Sequence, residues 1–406
     1  MIFDPDRLLV ATVTATFAVA VLACMISWSQ RWSAPSRTTL ALFFAAFALS
    51  ELDTLAVALT YEMPQVIRDG IELKSFIANF CIMPLFLFYV RELTDFRGHP
   101  DNVKALALHF ALPGVVLIFS FVTMALPAAT RDIWYSDTMA EASLPGLRLL
   151  HYGFTLLTVA LVLQWAVYVI WVARTQARHI ARLKQHFAST EGMELRWVAV
   201  LAFAMGSYIL QTMAGETLIL LGKRDPVGPL FDSFLVLIVV AAVALWGLRP
   251  SPELDHATKA LDEAAEHHET KYKRSALGID QSHRIAQKLL RAMQEDHLYR
   301  DPNLTLSALS AHVGVSLNYV SQTLNQNLGQ SFFEFVNSWR VKEAIPLVEA
   351  GEKTILAIAY EVGFNSRSSF YSAFKRVTDM TPTAYKNAKS KPHPFGAERL
   401  ISSDQK

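Results

Sequence analysis

Two short clusters of polar side chains late in the chain hold its most specific chemistry. The first is Ser316, Asn318, Tyr319 and Gln322; the second is Asn365, Ser366, Arg367, Ser368 and Tyr371, with Lys375 and Arg376 a turn further on. Asparagine and glutamine amides present a donor beside an acceptor and can pair bidentately with adenine, while a guanidinium forks onto guanine or a phosphate. Any one of these residues reads equally well as an exposed cap or a solvated side chain; the grouping is what points to nucleic acid. A second set is ionisable and lies in apolar surroundings: Glu51, Asp53, Glu72, Lys74, His151, Glu216 and Asp232. A charge near the centre of a bilayer costs about 2.5–3.5 kcal/mol unless paired or hydrated. These groups therefore either pair and snorkel, or line an outward-facing pocket for a polar or cationic signal.

Other chemistries find no support. No phosphate loop, nucleophile motif, zinc motif or kinase-type histidine motif is present. Cys24 and Cys81 sit inside apolar runs, where a thiol behaves as a small hydrophobe. His267 and His268 are adjacent and point in different directions on a helix, a poor start for a metal site. No catalytic residue, metal or cofactor is expected, and an enzyme is not.

The polar clusters need helices to present them. From about Ser282 to Lys391 the periodicity is helical throughout. In a first unit Leu306, Leu309 and Val313 share a face, Gly314 breaks it, and Ser316 caps a second helix bearing Val320 and Leu324. In a second unit Ile355, Ile358, Ala359 and Val362 form the face, Gly363 breaks it, and Ser366 caps a helix bearing Phe370, Phe374 and Val377. Helix, glycine turn, capped helix is the helix-turn-helix pattern, whose second helix enters the DNA major groove. An amphipathic helix from Phe332 to Val348 joins the two.

Here the chain resembles the AraC family of transcription regulators. The resemblance rests on Leu309, Gly314-Val315-Ser316, Tyr319-Val320-Ser321, Phe332, Asn337, Arg340 and Ala344 in the first half. In the second it rests on Ile358-Ala359, Val362-Gly363-Phe364, Ser366, Ser369-Phe370, Ala373-Phe374-Lys375, Thr381-Pro382 and Tyr385. It implies two helix-turn-helix subdomains on a rigid linker helix, contacting successive major-groove segments. Asp379 replaces the family's usual glycine before Met-Thr-Pro, and Gln322 and Asn325 stand where basic residues are common. Arg340 is expected to brace the linker helix rather than touch bases.

The first 248 residues differ in kind. The chain is 52% apolar and 18% charged, with a formal net charge of +1. Residues 1–248 carry 17 basic and 18 acidic side chains and the shorter remainder carries 20 and 18, so charge density nearly doubles past Arg249. Seven stretches, near 8–28, 38–61, 72–90, 105–126, 149–173, 196–221 and 230–248, reach the length of a membrane span. With the N-terminus outside, inner loops hold ten lysines and arginines against six outside, the densest cluster at 174–184, which favours a cytoplasmic C-terminus.

The expected fold is thus all-α: a seven-helix transmembrane bundle over 1–248, a linker helix over 249–281, a cytoplasmic double helix-turn-helix DNA-binding domain over 282–391, and a flexible tail over 392–406. With the seven spans, the arrangement looks like the membrane-bound subgroup of the AraC family. The expected function is a one-component regulator in the inner membrane, with promoter DNA, the lipid bilayer and a small-molecule or protein signal as partners. Its oligomeric state is open, a homodimer included. The competing readings are a transporter-like or enzyme-like membrane protein with a regulatory DNA-binding tail, and spans that only anchor.

Overall fold

A computed structural model describes residues 5–59, 65–94, 107–127, 130, 145–220, 228–249 and 279–390. The expected linker over 249–281 falls almost wholly outside the described residues, and the tail over 392–406 entirely so. The chain divides into two units, one of Met1–Arg178 with Leu195–Pro250, the other of His179–Glu194 with Ser251–Lys406. The described residues are almost entirely helical.

In the first unit the helices are α1 (Pro5–Ser29), α2 (Pro35–Leu59), α3 (Gln65–Thr94), α4 (Ala111–Met124), α5 (Pro145–His186), α6 (Arg196–Leu220) and α7 (Gly228–Gly247). The last turns of α5, from His179, are grouped with the second unit. Helix α2 packs against α1 and α3, and α1 also runs along α7. Their core is aromatic: Phe43 meets Phe47 at 5.2 Å and Phe86 at 5.5 Å between ring centroids. The outward faces are apolar as well, with Ile118 67% and Phe203 78% exposed. A helix that is apolar all round has no face suited to water. Five helices are long and apolar enough to cross a membrane among the described residues: Arg7–Ser29, Lys74–Thr94, Arg148–His186, Arg196–Gly215 and Leu230–Gly247. The other two expected spans coincide with α2, which carries Arg37, Glu51 and Asp53, and with α4, whose 14 residues reach about 21 Å.

The second unit holds α8 (Ile279–Gln294), α9 (Leu306–Val313), α10 (Leu317–Gln322), α11 (Phe332–Ala350), α12 (Ile355–Glu361), α13 (Arg367–Thr378) and α14 (Pro382–Ser390). Side-chain caps start α9, α11, α12 and α13, and left-handed residues end α9, α11 and α13. Thr305 accepts from the Ala308 amide at 3.1 Å and Thr354 from that of Ala357 at 3.2 Å. Ser331 and Glu334 form a reciprocal capping box on α11. That bonding holds the Glu334 carboxyl below the usual carboxylate range. Gly314 ends α9 at φ +64° and Asp379 ends α13 at φ +57°. Asp379 thus takes the left-handed turn in place of the glycine the resemblance implies.

Helix α11 serves two cores in succession. Phe332, Phe335 and Val336 join Leu289, Met293, Leu306, Leu309, Val320 and Leu324, whereas Val341, Ala344 and Val348 join Ile358, Phe364, Phe370 and Phe374. Burying a large apolar side chain contributes about 1.5–3 kcal/mol, so each half of α11 is fixed by its own cluster. Val377, in the last turn of α13, is 48% exposed. One expectation needs correction. The second helix of the first unit is α-helical only to Gln322 and continues as a π turn over Thr323–Asn327, with Leu324 buried in it.

Candidate nucleic-acid interface

Each helix-turn-helix pair places a polar end outward and an apolar flank inward. On α10, Val320 is fully buried, while Asn318 is exposed and Tyr319 and Gln322 are half-buried. Gln322 donates to Gln326 at 2.9 Å, so its amide is already oriented along the helix surface. Ser316 occupies the N-cap position with extended backbone, but its hydroxyl makes no capping bond. The expected cap is therefore positional only, and the hydroxyl stays exposed.

On α13 the capping is complete. The Ser366 oxygen accepts from the Ser369 amide at 3.2 Å and lies 3.0 Å from the Ser368 hydroxyl. Arg367 is exposed; its guanidinium stacks on Tyr371, 4.9 Å from the ring centroid, and donates to the phenol oxygen at 3.0 Å. Tyr371 also meets the Thr383 hydroxyl at 2.9 Å. That bond, with the guanidinium beside it, holds the phenol below its usual range. The Arg367 fork is thus held rigid on a packed base, which lowers the entropy lost when it engages a ligand. Asn365 and Lys375 are exposed, and Arg376 lies over the Phe333 ring at 5.3 Å.

Arg340 takes no part in this surface. It is 1% exposed, donating to the carbonyls of Tyr299 at 2.6 Å and Asp301 at 2.7 Å and to Asn337 Oδ1 at 3.2 Å, and its guanidinium lies 5.4 Å from the Phe364 centroid. Burial pushes its pKa down to about 10, which leaves it charged at neutral pH.

Residues 309–388 match the family model of a helix-turn-helix domain. The chain carries an AraC-type helix-turn-helix domain at its C-terminus. Among similar proteins, an uncharacterized HTH-type transcriptional regulator of Staphylococcus aureus strain COL is 34% identical over 115 residues, 26% of this chain and 15% of that one. A Streptomyces lividans protein named as an AraC-like transcription regulator is 32% identical over 97 residues, 23% of this chain and 32% of that one. This chain therefore spans only a minor part of either relative. The C-terminal domain of AraT, a response regulator from Geobacillus stearothermophilus, is 23% identical, covering 29% of this chain and 93% of that one, with a TM-score of 0.25. The AraC-type domain and these relatives are those of transcription regulators, not enzymes.

The ionisable residues of the apolar unit are only partly brought together. Glu51 lines a cavity of about 60 Å³ together with Ser50, Asn79, Trp165 and Tyr208. Lys74 is exposed, and Asp232 is half-buried on α7; neither lines that cavity. The side chains of Asp53, Glu72, His151 and Glu216 lie outside the described residues. Asn79, Trp165 and Tyr208 were not singled out from sequence, since a lone amide or aromatic in an apolar run reads as packing. Among the described residues no group of three His, Cys, Asp or Glu side chains could hold a metal ion.

Proposed function

We propose that the chain is a one-component transcription regulator of the inner membrane, with seven spans, an external N-terminus, and a double helix-turn-helix unit that binds promoter DNA on the cytoplasmic side. What carries the reading is the pair of helix, glycine turn and helix units held by α11, with the model match over 309–388 lying across both. Asn318, Tyr319 and Gln322 in the first unit and Asn365, Arg367, Ser368 and Tyr371 in the second are its base- or phosphate-facing groups, with Ser316, Ser366, Lys375 and Arg376 at their flanks. The apolar exposed faces of α4, α6 and α7 support the membrane assignment. The grouping of His179–Glu194 with the C-terminal residues in one body fits two crossings by α6 and α7 between them, whichever side they occupy, so the orientation rests on the lysine and arginine count alone.

The purified full chain in lipid nanodiscs should bind a mixed-sequence 40-base-pair duplex with an affinity that falls steeply as salt rises. Arg367→Ala should weaken that binding several-fold. The loss will be uniform across sequences if the guanidinium holds a phosphate, and confined to one base position if it reads guanine. No binding by the folded chain at low salt would end the regulator reading.

The sensing element in this proposal is the Glu51 cavity, and its ligand is a small cation. A carboxylate beside the Trp165 and Tyr208 rings, whose centroids lie 6.0 Å apart, offers both charge and π-face attraction. Glu51, Asp53, Glu72, Lys74, His151, Glu216 and Asp232 remain the wider candidate set. In cells, Glu51→Gln should change promoter output in response to signal while membrane yield stays constant. Identical output from both chains would leave the apolar unit an anchor, and no output from the unsubstituted chain would reject the cytoplasmic placement.

A further inference from the structure

The segment between α5 and α6 lies among apolar helices in sequence, yet it is built into the AraC-type unit. Ala188 is 1% exposed and belongs to the same cluster as Leu304, Leu306 and Phe332. Its amide donates to the Leu304 carbonyl at 3.1 Å, and its own carbonyl accepts from the Asn337 amide at 3.2 Å. Phe187 pairs with Thr305 in an isolated antiparallel bridge. Three residues beyond Ala188, the half-buried Glu191 carboxylate accepts from both the Ser366 and the Ser369 hydroxyls. Those hydroxyls form the N-terminus of α13, the second recognition helix.

That end of a recognition helix is where DNA is met. Exposed amides, small hydroxyls and the positive end of the helix dipole suit a phosphate oxygen, and the first residues of the helix are those that reach base edges. An anion already sits there, and it is the chain's own. Glu191 satisfies the two hydroxyls a phosphate would use, and its charge repels a backbone approaching Arg367. Nothing in the packing of the domain requires an acid at this point, because Ser366 caps α13 through the Ser369 amide without help.

We propose that Glu191 is an autoinhibitory stand-in for a DNA phosphate, held on the second recognition helix by the 187–194 loop and withdrawn when α5 or α6, to which that loop is directly joined, shifts. The inference rests on the DNA-binding reading above and adds to it the element that links signal to DNA.

The test compares the full chain, Glu191→Gln and a control, Glu352→Gln, in nanodiscs against the mixed-sequence 40-base-pair duplex over a range of salt. Glu352 is an exposed acid in the turn before α12, so its loss removes the same charge without freeing the α13 end. Glu191→Gln should bind about tenfold tighter than the control, with a salt slope steeper by about one phosphate contact. A second variant pair, Glu191→Cys with Ser369→Cys, should lose duplex binding on oxidation and regain it on reduction. Equal affinities for Glu191→Gln and the control, weaker binding by Glu191→Gln, or unchanged binding by the oxidised cysteine pair would overturn the proposal while leaving the regulator reading intact. Absence of binding by every form would overturn both.

Discussion

Arg340→Ala should destabilise the AraC-type unit by about 3–5 kcal/mol, the range for stripping one partner from a buried charged network. The substitution strands the Tyr299 and Asp301 carbonyls and Asn337 Oδ1, all of which now accept from the guanidinium. An unpaired buried acceptor costs about 1–3 kcal/mol, and the volume vacated beside Phe364 adds a cavity. Arg340→Lys should recover little, since a single ammonium cannot reach in the two directions that the planar fork spans. Pulse proteolysis of the full chain in urea measures the change. Unaltered stability with weakened duplex binding would instead make Arg340 a DNA contact.

Gly363→Ala should cost roughly 2–6 kcal/mol, combining left-handed backbone strain with overpacking. Gly363 has φ +97°, and a Cβ there would stand 2.6 Å from the Tyr299 carbonyl oxygen and 2.8 Å from that of Arg300. Both obstacles are backbone and cannot rotate away. Gly314 is the matched control: it sits in the equivalent turn at φ +64° with no atom near its missing Cβ, so Gly314→Ala should cost only about 1 kcal/mol. Arg340 and Gly363 press on the same strip, Tyr299–Asp301, so their double substitution should cost less than the sum of the two. Equal losses for the two glycines, by the same proteolysis assay, would show that the close approach carries no energy.

The helix-turn-helix units were legible because their information is local. Leu309, Val320, Ile358, Phe370 and Phe374 repeat at helical spacing, and Gly314 and Gly363 interrupt them where a left-handed residue is needed. Sequence did not distinguish those two glycines, because only the Tyr299–Asp301 strip, some sixty residues earlier in the chain, makes one turn crowded and the other open. Val377 continues the Phe370 and Phe374 spacing but lies in the last turn of α13, where it is 48% exposed. The capping box at Ser331 and Glu334 is local in the same way, a serine three residues before a glutamate at the head of the Phe332 helix. The Ala188 loop was not readable: a small residue followed by Ser-Thr-Glu-Gly between apolar helices carries no local sign of partners at Leu304 and Asn337. The polar cluster of α13 was visible as a group, but not that Ser366 and Ser369 already hold Glu191.

Placing Ala188 in the core of the C-terminal unit also ties the order of synthesis to the order of folding. The 187–194 loop leaves the ribosome before α6 and α7 and waits for partners in α9 and α11 that emerge later. In a chain that crosses a bilayer, loop and partners share a compartment only if an even number of crossings separates them, as α6 and α7 would provide. A chain lacking one of those crossings would make a C-terminal unit with an open slot beside Leu304 and Phe332. Such a product would expose apolar surface, so completing both crossings would be a condition for closing the C-terminal core.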